Sequence, residues 1–162
     1  MIQPAGHHLA EFNVGTLRHD WDDPRTADFV AGLDRVNALA EASNGFVWRM
    51  KDDDSAATQA AVEDDRLAWT LSVWDSVAAL EHFVWNTVHR QYYARKAEWY
   101  DPAGNGNLVL WSVPEGHRPG FAEGMARWTH LRDHGESETA FNWAFAREAV
   151  LWKTKSCERR ST

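Results

Sequence analysis

The order in which extended and helical patterns follow one another constrains the fold of this chain more than any other feature. Four short runs are apolar or alternate apolar with polar residues, which is typical of β-strands: residues 9–17, 46–51, 67–75 and 108–114. Apolar residues recur at helical spacing between the first and second runs, and again between the third and fourth. The predicted order is therefore β-α-β-β-α-β.

The first predicted helix has a recognisable start and end. Asp23 offers a side-chain acceptor at the N-cap, and Pro24 takes the first helical position, where its missing N–H needs no partner. Asn44 or Gly45 is expected to adopt a positive φ and stop the helix.

The second predicted helix runs from a cap at Asp75 or Ser76 to about Trp99. At about 100° per residue, its apolar side chains share one face: Val77, Leu80, Val84, Val88, Tyr92 and Trp99. Arg95 falls in the middle of this face, where an unpaired charge is too costly to bury. Two explanations stay open. Arg95 either stacks on Trp99 or pairs with a carboxylate, or it is a pocket cation that holds an anionic or carbonyl group of a ligand.

A further helix and strand are predicted towards the C-terminus. Pro119 opens this helix and Gly135 ends it, and residues 140–146 alternate aromatic side chains as a fifth strand would. The two earlier helices would cover one face of an antiparallel sheet and leave the other face without cover. We therefore expect a homodimer in which the fifth strand is exchanged or packs against the partner.

These patterns predict the α+β fold class, as a ferredoxin-like βαββαβ unit with an added C-terminal helix and strand. Residues 1–150 would form a single ferredoxin-like domain, and residues 151–162 a polar, flexible C-terminal tail. Residues 52–65 are acidic and rich in small side chains, which is typical of a surface loop.

The charge and the single cysteine disfavour several classes of protein. A net charge of -7 argues against a nucleic-acid binder, which needs a basic surface. Cys157 has no second cysteine in the chain to pair with, which is usual in the cytoplasm. The sequence contains neither a secretory signal nor an apolar stretch of membrane-spanning length. We expect a cytoplasmic protein that binds neither nucleic acid nor membranes.

Polar residues near apolar surfaces are the candidates for function. Ten Trp in 162 residues fit an aromatic-lined cavity, a large apolar interface or an aromatic core. His82 and His89 flank the apolar face of the second helix, where a histidine either points into a cleft or is half-exposed without a task. Glu11 and Asn13 share one face of the first strand. If the helices cover that face, Asn13 can hydrogen-bond a ligand; otherwise it is an edge residue reached by water.

Motifs for metal or nucleotide chemistry are absent from the sequence. HExxH spacing does not occur, and neither do the glycine-rich phosphate-binding motifs or the nucleophile elbow. The sequence therefore predicts no metal site and no cofactor.

Three blocks carry a resemblance to a known family: LSVWDSVAALEHFVWNTVHRQYYARKAEWY, NLVLWSVPEGHRP and HLRDHGESETAFNW. They resemble an uncharacterised bacterial family of domains of unknown function within the dimeric α+β barrel superfamily, which includes the antibiotic-biosynthesis monooxygenases. The resemblance runs from about residue 8 to 146. It implies a ferredoxin-like fold and a homodimer with back-to-back sheets, but no reaction that can be carried over.

Eleven positions match the pattern of that family: Trp74, Ser76, Phe83, His89, Arg95, Trp99, Trp111, Pro114, His134, Gly135 and Phe141. The chain also departs from the pattern. Gly120 follows Pro119 where a hydroxyl residue is usual, Ser112 replaces an aromatic residue, and Trp143 stands in place of Phe. Changes near the aromatic strands would reshape a pocket and its choice of substrate.

The resulting expectation is a small-molecule pocket between sheet and helices. The protein would act on a planar or polycyclic, natural-product-like metabolite as a metal-free oxygenase, cyclase or isomerase. His89 would serve as acid or base, Arg95 as partner of an oxyanion or carboxylate, and Asn13 as an orienting hydrogen bonder. Aromatic side chains would line the pocket: Trp48, Trp74, Trp85, Tyr92, Trp99 and Trp111.

Two alternatives remain open. In the first, the protein is a non-catalytic ligand-binding or interaction homodimer, and the aromatic residues form its core and interface. In the second, it is a haem-binding member of the superfamily, with His89 or His82 directed at the iron.

Overall fold

The computed structural model describes residues 3–51, 64–102 and 107–148. Its elements follow in chain order: β1 (His7–Thr16), α1 (Ala27–Ala42), β2 (Phe46–Arg49), β3 (Leu67–Trp74), α2 (Val77–Asn86), α3 (His89–Ala94), α4 (Lys96–Trp99), β4 (Asn107–Pro114) and α5 (Phe121–His134). The predicted tail at 151–162, Cys157 and most of the predicted acidic loop at 52–65 lie outside the described residues.

The four predicted strands form one antiparallel sheet with the order β2-β3-β1-β4. β1 is central, so that Leu9 pairs with Trp74 of β3 on one side and with Ser112 of β4 on the other. The chain therefore has a mixed α+β fold built on a four-stranded antiparallel sheet. None of the helices in the described residues is both long and apolar enough to cross a membrane.

The ends of α1 follow the predicted capping chemistry. Asp23 Oδ1 accepts a hydrogen bond from the backbone N–H of Arg25 at 2.8 Å, at the start of a short 3₁₀ turn that leads into the helix. Gly45 follows the helix with a φ of 82°. Gly45, and not Asn44, thus takes the left-handed conformation, for which glycine has no steric penalty.

The second predicted helix is not continuous, which corrects the sequence expectation. Ser76 caps its start, because its Oγ accepts from the backbone N–H of Ala79 at 3.2 Å. The chain leaves the helix at Thr87, with φ -124° and ψ -176°, and breaks again at Arg95. Thr87 Oγ1 donates to the carbonyl of Phe83 and accepts from the N–H of His89 at 3.3 Å. This hydroxyl offers the backbone an alternative to helical hydrogen bonds.

The front face of the sheet carries Leu9, Glu11 and Asn13 of β1, and α1 to α4 pack on it. Leu9 belongs to the same apolar cluster as Ala40 of α1 and Leu80 of α2. The front face is therefore the helix-covered face that the order of elements predicts.

The back face carries Ala10, Phe12 and Val14 of β1, and α5 covers it. Phe121, Met125, Trp128 and Leu131 of α5 pack against these strands. The approach is close, since a Cβ on Gly124 would lie 2.7 Å from Cδ2 of Phe12. The back face is therefore covered from within the chain and needs no partner subunit to cover it. The homodimer stays a prediction.

The predicted fifth strand at 140–146 is wrong. Phe141 makes a single bridge with Leu110 of β4, and residues 143–148 are helical. Asn142 caps this helical segment, because its Oδ1 accepts from the N–H of Ala144 at 3.1 Å. Phe141 and Phe145 pack with their ring centroids 5.7 Å apart. The aromatic alternation therefore reflects the i, i+4 spacing of a helix.

Candidate functional site

The front face holds two separate apolar clusters. One gathers around Leu9, Trp74 and Leu110, and the other around Leu17 and Trp99. The strand residues between the two clusters are polar: Glu11, Asn13, Thr70 and Ser72. Glu11 pairs with Ser72 across β1 and β3, and Asn13 pairs with Thr70 in the next row. We call these four residues the polar floor.

The polar floor is reached by solvent although it lies under helices. The backbone of β1 is covered on both sides by β3 and β4, yet Glu11 and Asn13 are only partly buried. Thr70 is exposed, because β2 pairs with β3 only beyond this position. On the back face, by contrast, Phe12 and Trp111 are 0% exposed. The partial exposure of these side chains leaves room for a candidate pocket above the polar floor on the side of Thr70, and we call this candidate pocket the hollow.

Glu11 is the chemically distinctive group of the floor. Ser72 Oγ donates a hydrogen bond to Glu11 Oε2 at 2.8 Å, and Trp74 Nε1 donates to Ser72 Oγ at 3.0 Å. Burial raises the pKa of Glu11 to about 7, and the hydrogen bond from Ser72 opposes that rise. A carboxyl group with this pKa can release or accept a proton near neutral pH, as general acid–base chemistry requires.

Tyr100 is a second titratable group within electrostatic reach of Glu11. It follows α4, and its ring packs edge-on against Phe29 of α1 with centroids 5.7 Å apart. Burial, and then the charge of Glu11, raise the pKa of Tyr100 well above its usual range. Tyr100 is therefore a neutral hydroxyl throughout the range in which Glu11 titrates.

Of the predicted catalytic residues, Asn13 lies on the polar floor. The front face does meet the helices, which is the condition under which Asn13 and Glu11 are expected to face a cavity. Trp74 borders the floor through its hydrogen bond to Ser72, and it stacks on Phe83 with centroids 5.1 Å apart. These residues form the part of the predicted pocket that the structure brings together.

Three predicted lining residues lie away from the polar floor. Trp111 is on the back face, where its Nε1 donates to Glu123 of α5 at 3.0 Å. Trp48 also packs with the back-face cluster. Trp85 packs against the cluster around Leu9, and its buried Nε1 has no hydrogen-bond partner among the residues that the structure describes. Strand parity alone could not assign Trp111 and Trp48 to a face, because the parity does not say which side α1 covers.

Trp99 and Tyr92 belong to the second apolar cluster. Trp99 is buried, with its ring 5.6 Å from Phe29 and 6.2 Å from Tyr92. They pack with Leu17 and Phe29 in this cluster, on the far side of the polar floor from Trp74.

Arg95 is held at the surface and not directed at the polar floor. Its Nη2 lies 3.0 Å from Asp28 Oδ2 and 2.9 Å from Glu98 Oε2, and the guanidinium carbon lies 4.7 Å from the ring centroid of Trp99. Its side chain is 42% exposed. Arg95 thus stacks on Trp99 and pairs with carboxylates, the first of the two explanations given for it. With Asp28, Arg35 and Gln91 it lines an open surface groove of about 400 Å³.

His89 is packed among aromatic rings. Its ring lies 5.0 Å from Phe83 and 6.4 Å from Tyr93, and the backbone of Val84 is its nearby polar neighbour. Burial lowers the pKa of His89, so its imidazole is neutral at pH 7. No group of three or more His, Cys, Asp or Glu side chains in the described ranges is placed to hold a metal ion.

Sequence reasoning identified Glu11 only through its neighbour and missed Ser72. The available signal was a glutamate inside an apolar strand, LAEFNV, with a serine inside another, TLSVW. Only the register of β1 against β3 places the two side chains together.

Comparisons with other proteins bear on the family and the fold. The chain is similar to the crystal structure of PA3566 from Pseudomonas aeruginosa, with 17% identity and a TM-score of 0.44, covering 68% of this chain and 95% of that one. It is also similar to the NE2512 protein of unknown function from Nitrosomonas europaea, with 13% identity and a TM-score of 0.44, covering 72% and 97%. No curated protein matches the chain. Residues 8–157 match the family described as "Domain of unknown function (DUF3291)", and the chain belongs to that family.

Proposed function

We propose that this protein binds an uncharged, planar small molecule in the hollow above the polar floor and transfers a proton to or from it through Glu11. The observation that carries the proposal is a half-buried glutamate that accepts a hydrogen bond from Ser72 on the helix-covered face of a central strand, where burial raises its pKa to about 7. Burial of a polar group costs stability in comparison with an apolar side chain of similar size. The floor instead interrupts what would be a continuous apolar core.

The chemistry of the floor favours an uncharged ligand. None of its four side chains is basic, and Arg95 is paired at the surface with Asp28 and Glu98. A carboxylate or phosphate ligand would meet no counter-charge on the floor and would repel ionised Glu11. A carbonyl, phenol or enol can instead use the amide of Asn13 and the hydroxyl of Thr70 as hydrogen-bond partners.

The reaction class that fits is proton transfer next to a carbonyl group. Ionised Glu11 takes the proton from a C–H bond of the ligand, and the electron pair of that bond becomes the enolate. Asn13 is placed to donate a hydrogen bond to the enolate oxygen. Return of the proton to another atom gives an isomerase or cyclase, and reaction of the enolate with dioxygen would give a metal-free oxygenase.

Ligand binding is tested with two probes of one shape and different charge. Saturation-transfer NMR should detect binding of 2-naphthol and not of 2-naphthoate. Thr70→Phe, which places a ring at the open side of the hollow, should abolish the 2-naphthol signal. Val30→Phe on the exposed side of α1 is the matched control, since Val30 is 40% exposed and is not one of the residues of the floor. Equal binding by both variants would place the ligand elsewhere, and tighter binding of 2-naphthoate would contradict the proposed ligand class.

Proton transfer is tested with 2-tetralone, whose protons next to the carbonyl are acidic. Proton NMR in D₂O should show exchange at that carbon faster than in buffer alone. Glu11→Gln should reduce the rate to that of buffer, whereas Glu81→Gln should retain it, because Glu81 pairs with Arg147 at the surface. If Glu11→Gln exchanges the protons as fast as the wild type, Glu11 is not the base.

A non-catalytic ligand-binding protein is the second candidate. It is favoured by the complete burial of Trp74, Trp99 and Trp111, which serve as core side chains. In that case Glu11→Gln would still bind 2-naphthol, and no variant would accelerate the exchange of 2-tetralone.

The haem alternative has less support from the residues around His89. An iron ligand needs a ring nitrogen that faces a planar slot, and His89 is a buried imidazole. However, the rings of Phe83 and Tyr93 already pack around the imidazole. This environment fits a buried core histidine better than an axial ligand, and a Soret band in the purified protein would reverse that assessment.

We also propose a ferredoxin-like arrangement and a cytoplasmic homodimer of the dimeric α+β barrel type. The strand order β2-β3-β1-β4, with every neighbouring pair antiparallel, supports the ferredoxin-like arrangement. Light scattering after gel filtration tests the homodimer, and a mass of 18.5 kDa would contradict it. In a dimer, α5 would have to lie at the interface or beside it, because it already covers the back face.

A further inference from the structure

Trp74, Ser72 and Glu11 form a chain of hydrogen bonds with a fixed direction. The indole N–H of Trp74 can only donate, and it lies 3.0 Å from Ser72 Oγ. The Ser72 oxygen therefore accepts from Trp74, and its single hydrogen is left for Glu11 Oε2 at 2.8 Å. Trp74 cannot turn away, because its ring is buried and packs against both Phe46 and Phe83.

The two oxygens of Glu11 consequently differ. Oε2 accepts from Ser72 whether the carboxyl group is charged or neutral, so it is the poorer place for the proton. Oε1 makes no hydrogen bond within the described residues and is not among their sealed, unpaired atoms. Because Glu11 keeps some exposure on a strand whose backbone is covered on both sides, Oε1 is the oxygen that faces the hollow.

We propose that Ser72 is a positioning residue that holds Oε2 of Glu11 and confines the exchangeable proton to Oε1, where a bound ligand meets it. The proposal rests on the proposed function for the role of the ligand, but the arrangement itself does not depend on it. Proton transfer then forms the Oε1–H bond as the ligand C–H bond breaks, and the pair of electrons stays on the ligand. Ser72 itself neither gains nor loses a proton.

Among the described residues around Glu11, Ser72 is the one whose substitution should change the pKa of Glu11. Asn13 and Thr70 do not titrate, and Tyr100 stays neutral because burial raises its pKa. Ser72 makes the hydrogen bond that lowers the pKa of Glu11. Removal of this bond should therefore act on Glu11 without competition from another titrating neighbour.

The experiment measures the titration of Glu11 by carbon NMR of ¹³C-labelled glutamate, with the signal assigned by its loss in Glu11→Gln. Ser72→Ala should raise the pKa of Glu11 by about one unit, the size expected for one hydrogen bond to a charged group. Ser72→Thr keeps the hydroxyl and should return the pKa towards the wild-type value. Ser112→Ala is the matched control, because Ser112 lies on the same face beside Leu9 and its Oγ has no hydrogen-bond partner in the described part of the chain.

Each outcome decides the proposal. An unchanged or lowered pKa in Ser72→Ala, or an equal rise in Ser112→Ala, overturns it. If Ser72→Ala does not fold, Ser72→Cys keeps the volume with a weaker donor and should shift the pKa in the same direction. The pH dependence of 2-tetralone exchange should move upwards with the pKa. Absence of exchange in every variant would contradict the proposed function, while the NMR titration would still decide the role of Ser72.

Discussion

At the scale of single residues, the front face combines a titratable acid with neutral partners. Glu11 pairs with Ser72 across the strands, and Asn13 lies two residues along the same strand. The alternation of β1 was sufficient to predict that Glu11 and Asn13 share one face. The pairing of Glu11 with Ser72 depends on strand register, which local sequence does not determine.

Glu11 should make the stability of the protein depend on pH. Because burial raises its pKa to about 7, the folded state keeps a proton that the unfolded chain releases near the ordinary value of 4.5. Its contribution is therefore fully present below pH 4.5 and is lost as the pH rises through 7. The expected loss is about 3 kcal/mol at most, and water that reaches the hollow will reduce it.

Urea unfolding at several pH values measures this effect. The free energy of unfolding of the wild type should fall between pH 5 and pH 8 relative to that of Glu11→Gln, which has no group to titrate. The two proteins would show parallel pH profiles if Glu11 has an ordinary pKa in the folded state.

Arg95→Ala should have a small effect on stability and none on the floor. Its ion pairs with Asp28 and Glu98 are largely exposed, and solvent screening leaves such pairs a small contribution. Its stacking on Trp99 adds a further small contribution at this exposed site. Chemical unfolding and 2-naphthol binding should be compared with those of Arg35→Ala, a neighbour in the same groove. A folded Arg95→Ala protein that no longer binds 2-naphthol would show that Arg95 serves the ligand site.

At the scale of elements, capping residues predicted where helices begin and end better than periodicity predicted how far they continue. Ser76 lies at the predicted start of α2, and Gly135 lies at the predicted end of α5. The apolar spacing continues through Thr87 and predicts an unbroken helix. The helix nevertheless ends there, where the Thr87 hydroxyl donates to the backbone carbonyl of Phe83. Similarly, the aromatic spacing at 140–146 is compatible with the period of a strand and with that of a helix. The side-chain cap at Asn142 favours the helix.

Gly124→Ala should loosen α5 from the back face. A Cβ there would lie 2.7 Å from the ring of Phe12, which is buried and cannot move aside. Overpacking costs about 1–3 kcal/mol, which exceeds the gain of up to about 1 kcal/mol in helix propensity. Thermal unfolding should therefore occur at a lower temperature than in the wild type. Gly120→Ala is the control, because a Cβ at Gly120 meets nothing within 4 Å; an equal fall in both variants would show that the contact with Phe12 is not its cause.

At the scale of the whole molecule, the two faces of the sheet differ in the polarity of their buried side chains. The back face is a dry apolar layer under α5, in which Trp111 satisfies its one polar atom through Glu123. The front face keeps two apolar clusters apart by a polar row. Burying polar side chains costs stability relative to apolar ones, so the polar floor is where the front face departs from the packing that stability alone favours.

Joining the two front-face clusters should therefore stabilise the protein and abolish its ligand binding. Glu11→Leu removes the raised-pKa carboxyl group and adds apolar surface between the clusters, while Ser72 stays to accept from the buried indole N–H of Trp74. At pH 8 the free energy of unfolding should rise by roughly 1–3 kcal/mol, from loss of a buried charge and gain of apolar burial. Glu81→Leu makes the same chemical change near the surface, where substitutions are usually within about 0.5 kcal/mol of neutral. A Glu11→Leu protein less stable than the wild type at pH 8 would mean that the floor holds the fold together, and the ligand site would lose its main physical argument.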